Sequence, residues 1–304
     1  MKNLQEIREY KEFKNLEVIA KHVVEGFITG MHKSPYHGFS VEFAEHRLYN
    51  DGESTRHIDW KLFAKTEKYY IKRFEEETNL RCNILIDISS SMLFPDKDDY
   101  NKLMFSVYSA AALINLISRQ RDGVGLAFFD EEIKLKTESK INNPHIRFLY
   151  SRLQELKENS VPTNIKTSVA DSLHKIAEMI HKRSLVIIFS DMFENQNKDE
   201  VFNALQHLKH NKHEVILFHV FDSNFELELN YDNRPYRFVD LETGQTLKIN
   251  PNRVRESYKT KVSSLFEEIK LKAGQYKIDF IEADINKDFK DVLVNYLIKR
   301  QKLF

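Results

Sequence analysis

One cysteine in 304 residues leaves no internal disulfide to form. That residue, Cys82, lies inside an apolar run and reads as a buried, inert thiol in a reducing compartment. Net charge is also missing: 46 Lys plus Arg balance 46 Asp plus Glu. The balance removes the electrostatic basis for binding nucleic acid or an anionic membrane as the main task. No stretch approaches the ~18 apolar residues of a membrane span. The opening "MKNLQEIREYKEFKNLEVIAKHVVEGF" is charged throughout and has no signal-peptide core. A soluble, cytoplasmic protein is expected. The phosphate-binding pattern Gly-x-x-x-x-Gly-Lys-Ser/Thr is absent, so the chain itself is not expected to hydrolyse ATP. Gly-x-Ser-x-Gly is absent too: "GFSVE" lacks the second glycine and "ISSSM" has none. "HEVIL" lacks the second histidine of a zincin. Internal repeats and low-complexity segments are missing as well.

What is present is a chain able to bury a core, with 41% hydrophobic and 30% charged residues. Leu4, Ile7, Leu16, Ile19, Val23, Val24 and Phe27 recur at helical spacing, which predicts an amphipathic helix over residues 4–29. Residues 32–66 lose that period and read as short strands and loops, followed by a strand in "KYYIKRFEEE". From residue 80 the rhythm changes. The apolar runs "LRCNILIDIS", "VGLAFFD", "SLVIIFSD", "HEVILFHVFD" and "YKIDFIEADI" read as strands, with a hairpin partner in "EIKLKTE". Helical patterns alternate with them, and small residues line one side of "DDYNKLMFSVYSAAALINLISRQ". Continuous apolar strands alternating with helices predict an α/β fold: a doubly wound, mostly parallel sheet covered on both faces. Two domains follow, a helix plus β-rich segment over 1–79 and the α/β domain over 80–304. The turn signals of "FELELNYDNRPYRFVDLETGQTLKI" predict a β-rich insertion at about 223–250.

In such sheets ligands bind beyond the carboxyl ends of the strands, where strand order switches. Asp87 stands at one such end, in "NILIDISSSML", and Asp191 at another, in "LVIIFSDM". Asp87, Ser89 and Ser91 form Asp-x-Ser-x-Ser, and alternate residues leaving a strand can converge on one point. The polar loop "VPTNIKTS" adds Thr163, with Thr167 as the alternative. Carboxylate and hydroxyl oxygens suit a hard divalent cation, Mg²⁺ or Mn²⁺. Hydroxyls are neutral, so a cation held mainly by them stays poorly neutralised and seeks a carboxylate from another molecule.

These five residues resemble the metal-ion-dependent adhesion site of von Willebrand factor A domains. The resemblance implies a Rossmann-type, von Willebrand factor A-like domain, with Pro162 standing where that family often has glycine. A second resemblance lies in "GFSVEFAEHRLYNDGESTRHIDWKLFAKTEKYYIKRFEEE", which is similar to the signature of bacterial domain-of-unknown-function family 58. Gly38, Ser40, Glu42, Glu45, Arg47, Tyr49, Gly52, Arg56, Ile58, Asp59, Trp60, Ala64, Lys72 and Glu75 carry it, with Gly52-Glu53 in place of the usual Gly-Asp. That family couples the segment to an A-type domain. Its members resemble partners of MoxR-type AAA+ ATPases in chaperone-like maturation of other proteins. Membership therefore implies such an ATPase as a partner.

In that segment Arg47 and Arg56 with Asp59 and Glu45 suit an internal ion-pair network, and Trp60 suits a core anchor. Packing of the segment onto the A domain outweighs a catalytic role. Zinc at His207, His210 and His213 is weighed against their place at a polar helix end, where solvated or capping histidines are favoured. The competing enzymatic reading is a Mg²⁺-dependent phosphohydrolase with Asp87 as nucleophile. That chemistry wants a second acid two residues on, and the position holds Ser89. The expectation is thus a non-enzymatic, metal-dependent protein-binding module whose client contributes an Asp or Glu.

Overall fold

The apolar runs form one six-stranded sheet in the order β10-β7-β6-β3-β4-β5. The strands are β3 (Arg81–Asp87), β4 (Gly123–Phe129), β5 (Ile133–Lys136), β6 (Leu185–Ser190), β7 (Glu214–Phe221) and β10 (Asp279–Asp284). All neighbours are parallel except β5, which returns antiparallel beside β4 as the hairpin reading expects. A computed structural model describes residues 15–31, 46–48, 60–72, 80–95, 100–130, 132–158, 169–191, 198–241, 244–288 and 290–303. The architecture is mixed α/β with a mostly parallel sheet.

Two compact units divide the chain, residues 28–79 and the remainder. In the smaller, β1 (His46–Leu48) pairs antiparallel with β2 (Tyr70–Lys72) around α2 (Trp60–Thr66). Phe63 stacks on Tyr69 with ring centroids 4.5 Å apart. The expected N-terminal helix is α1 (Leu16–Met31), and its predicted start lies outside the described residues. Leu16, Ile19, Val23 and Val24 are buried, and Glu25 pairs with Arg119 at 3.1 Å.

In the larger unit, helices cover both faces because β3, β4, β6 and β7 carry apolar residues at successive positions. Leu85, Val186, Ile188, Val215 and Leu217 share one core with α5 (Val169–Met179), α6 (Lys198–His210) and the end of α7 (Pro251–Gln275). The alternate positions point to the other face. There α3 (Lys102–Arg119) packs on β3 and β4, with α4 (Asn143–Glu158) and α8 (Lys290–Leu303) beside it. Ser106, Ser109, Ala110, Ala111 and Ala112 are fully buried on α3, so the small residues do permit a close approach. Tyr150 donates to the Ala111 carbonyl, and Tyr296 donates to Gln120 Oε1. Among the described residues no helix is long and apolar enough to cross a membrane.

Within the stretch 223–250, β8 (Tyr236–Val239) and β9 (Thr246–Ile249) form an antiparallel hairpin. Residues Ser223–Leu227 wind into a π-helical turn. Asp222 causes this: its carboxylate accepts from the Asn224 and Phe225 amides at 2.8 and 3.1 Å, and Asn286 holds it from behind. Such local side-chain bonds outcompete a ladder.

Gly125 marks a tight point in the sheet. A Cβ there would lie 2.9 Å from Asn83 Oδ1 and 3.1 Å from both Ser139 Oγ and the Thr137 carbonyl. At Gly123 the nearest atoms are 3.6 Å away. Gly125→Ala is expected to lower unfolding free energy by about 1–3 kcal/mol, and Gly123→Ala by less than about 1 kcal/mol. Urea denaturation of both variants checks this, and equal effects would contradict it.

Candidate metal-binding site at the carboxyl edge of the sheet

β3 is the strand at which chain order reverses: β4 follows on one side, while β6, β7 and β10 build on the other. The crevice of the fold therefore opens between β3 and β6. Asp87 is the last residue of β3, and Asp191 follows the last residue of β6. Parallel register pairs Ile86 with Phe189, so Asp87 and Ser190 come next, side by side.

Asp87 is 1% exposed and its two oxygens are both engaged. Oδ1 accepts from the Ser89 amide at 2.9 Å, and Oδ2 accepts from the Ser190 hydroxyl at 2.6 Å. The Ser89 bond turns the chain as it leaves the strand, and Ser90–Leu93 continue as a 3-10 turn. Ser89 Oγ and Ser91 Oγ then lie 3.0 Å apart, and the Ser91 side chain hydrogen-bonds Asp191. Four of the five predicted metal ligands are thus tied together: Asp87, Ser89, Ser91 and Asp191. Thr163 and its alternative Thr167 lie outside the described residues.

Sequence reading missed three participants. Ser190 belongs to an apolar strand and gives no signal of its own. Lys102 opens α3, and its ammonium is 1% exposed. It donates to Asp191 Oδ2 at 2.8 Å and to Glu226 Oε1 at 2.6 Å. Glu226 comes from the π-helical turn, where its other oxygen accepts from the Asp222 amide at 2.7 Å. A lysine opening an otherwise apolar helix start was the one available signal for Lys102, and it does not name a partner. Phe94 packs edge-on to Phe225 at 6.2 Å and lies 5.8 Å from the Lys102 ammonium.

The two aspartates are electrostatically unequal. Burial, and then the neighbouring Asp191 charge, push the Asp87 carboxyl up to about 7. Burial acts on Asp191 in the same sense, but the Lys102 ammonium outweighs it and holds that carboxyl below its usual range. Glu226 stays above its usual range because burial outweighs Lys102. His219, opposite Ser190 in β7, is pushed down to about 4 by burial among Phe221, Phe266 and Phe280.

Among the described residues no three His, Cys, Asp or Glu side chains converge as a metal-binding group. The set at the crevice is instead carboxylate plus hydroxyl, an all-oxygen donor set that fits a hard divalent cation. Asp87 adds to the fit, since a buried carboxylate raised to about 7 gains from a nearby positive charge. The histidines once weighed for zinc do not converge. His207 Nδ1 meets His174 Nδ1 at 3.1 Å, the His213 ring accepts from the Ser184 amide, and His210 is exposed. Of the N-terminal set, Arg47 pairs with Ile71 through the β1–β2 register and Trp60 begins α2, while Arg56 and Asp59 lie outside the described residues.

Residues 45–266 match the family described as "Protein of unknown function DUF58". The chain belongs to the DUF58 family. It is 22% identical over 209 residues to the uncharacterized proteins Mb1516 of Mycobacterium bovis and Rv1480 of Mycobacterium tuberculosis. That match covers 69% of this chain and 64% of each relative, so the chain spans under two thirds of the curated relatives it matches. Among solved structures, BatB from Bacteroides thetaiotaomicron aligns at a TM-score of 0.43 and 12% identity, over 74% of this chain and all of that one. An aerotolerance-related membrane protein from Bacteroides fragilis aligns at 0.38 and 16% identity, over 70% and 96%. Neither score supports a conclusion.

The inequality of the aspartates has a measurable sign. A carboxyl raised from 3.8 to about 7 binds its proton more tightly in the folded state, so its contribution is lost as pH rises through 7. Asp191 is shifted the other way, and its contribution is lost only as pH falls below the ordinary carboxylate range. In EDTA, wild type should therefore lose stability relative to Asp87→Asn between pH 5 and pH 8, by at most about 3 kcal/mol. Denaturant titrations at the two pH values test this. A constant difference would contradict the assignment.

Proposed function

We propose that this chain is a non-enzymatic, metal-dependent protein-binding module. Its α/β unit is read as a von Willebrand factor A-like domain whose metal-ion-dependent adhesion site is Asp87, Ser89, Ser91, Thr163 and Asp191. The observation that carries this reading is the convergence of Asp87, Ser89, Ser91 and Asp191 at the strand-order switch. Asp87, Ser89 and Ser91 would hold Mg²⁺ or Mn²⁺ with Asp191 closing the set. The cation supplies a Lewis-acid bridge to an outside carboxylate. The chain's own residues orient the oxygens and keep bulk water from Asp87.

Binding is favoured over the phosphohydrolase alternative by one feature of the sequence. The position two residues after Asp87 is a serine, which does not serve as general acid at neutral pH. The cellular setting follows from the family resemblance: a cytoplasmic partner or adaptor of a MoxR-type AAA+ ATPase, acting in chaperone-like maturation of a client that offers an Asp or Glu.

Calorimetry should show Mg²⁺ or Mn²⁺ binding that Asp87→Ala weakens by more than ~100-fold with the fold intact by circular dichroism. Equal affinity in the variant would remove the metal reading. Client capture from lysate should vanish in EDTA and in the Ser89→Ala/Ser91→Ala double variant. The purified cognate ATPase should co-elute with this chain at micromolar concentration or change its ATP turnover. Absence of both effects would remove the partnership and leave the metal site standing.

A further inference from the structure

The metal reading leaves one buried group without a task. Lys102 lies on α3, and nothing in an adhesion-site ligand set calls for an ammonium there. A lysine 1% exposed is costly unless paired, and Lys102 is paired twice, with Asp191 and Glu226. Glu226 is the less buried partner, at 14%, and reaches the cluster from the insertion. Three further contacts fix the geometry. The Lys102 amide donates to the Phe94 carbonyl, the Phe94 ring lies beside the ammonium, and Tyr258 donates to the Glu226 carbonyl. The ammonium is therefore locked between one carboxylate of the crevice and one of the insertion.

We propose that Lys102 is a positioning residue and fixed internal cation of the site: it holds Asp191 by one oxygen and, balanced by Glu226, sets how strongly a divalent cation is bound. The inference rests on the metal reading above. Its content is a charge balance. Asp87, Asp191 and Glu226 against Lys102 give the cluster a formal charge of −2 when all are ionised. Removing the Lys102 charge takes it to −3 and should tighten cation binding. Removing the Glu226 charge takes it to −1, frees the ammonium to act on Asp191, and should weaken binding. Removing both restores −2. A purely structural role for the triad predicts something else, since damage at either end would loosen the site and weaken binding in every variant.

The test is titration of the full chain with Mn²⁺ alone, in calorimetry, for wild type, Lys102→Met, Glu226→Gln and the double variant. Lys102→Met should bind about tenfold more tightly and Glu226→Gln several-fold more weakly, and the double variant should return to within about threefold of wild type. If Lys102→Met fails to fold, the step from Glu226→Gln to the double variant still measures the removal of the ammonium, because both ends of the buried pair are then neutral. If that variant also fails, unchanged or tighter Mn²⁺ binding by Glu226→Gln still overturns the proposal. Shifts of the same sign in Lys102→Met and Glu226→Gln overturn it too, while wild-type binding keeps the metal reading intact. No Mn²⁺ binding by wild type removes the metal reading, and this inference with it.

Discussion

Two aspartates at neighbouring strand ends, almost without water, must be reconciled with each other, and the larger unit is organised around how this is done. Asp191 is satisfied by a lysine that arrives from the start of α3, 89 residues earlier in the chain. Asp87 receives two neutral donors, the Ser89 amide and the Ser190 hydroxyl. One acid is thereby made a firm anion and the other a weak one. Breaking a buried pair such as Lys102–Asp191 by deleting one partner costs about 3–5 kcal/mol in general, because the remaining charge stays buried. The start of α3, the end of β6 and the turn after β7 are held to one another by that cost.

The same pairing explains why the insertion is part of the site's surroundings. Glu226 is the second acceptor of Lys102, and its turn is shaped by Asp222, which caps the Asn224 and Phe225 amides. Phe225 then meets Phe94 on one side and Tyr231 on the other, at 6.2 and 5.0 Å, and Tyr231 packs on Tyr236 and Phe238 of the hairpin. An unbroken set of ring contacts thus runs from the residue after the 3-10 turn to β8. A change in the position of Lys102 is felt at Phe94, through the backbone bond, and at Glu226, through the side chain.

How much of this was legible in the sequence depends on range. The strands were legible because burial on both faces demands continuous apolar runs, and "NILID" and "LVIIFS" satisfy that demand locally. The grouping of Asp87, Ser89 and Ser91 was legible because its spacing is local, and Asp191 was legible because it ends an apolar strand run. Lys102 and Glu226 were not. Their meaning lies in contacts 89 and 124 residues apart, and a lysine at a helix start looks like any solvated one. The turn at Ser223–Leu227 hides its signal for the opposite reason. "FELEL" alternates as a strand does, but the preceding Asp222 captures two amides before a ladder can form.

On the proposed metal reading, neutral hydroxyls and one weakly held acid would leave a cation under-neutralised from the side of β3. Lys102 sharpens this, because it removes part of Asp191's charge from the crevice and delivers it to an internal ion pair. Were Asp191 free, two full carboxylates would face a divalent cation and cancel its charge, and the bound ion would have little reason to recruit a further anion. With Asp191 shared, a bound cation would keep residual positive charge for an outside anion. Charge-assisted bonds to an outside carboxylate gain most where the bond is shielded from water, and the buried floor made by Asp87, Ser89 and Ser190 supplies that shielding. The lysine that stabilises the fold is, on this argument, also what keeps the site from satisfying itself.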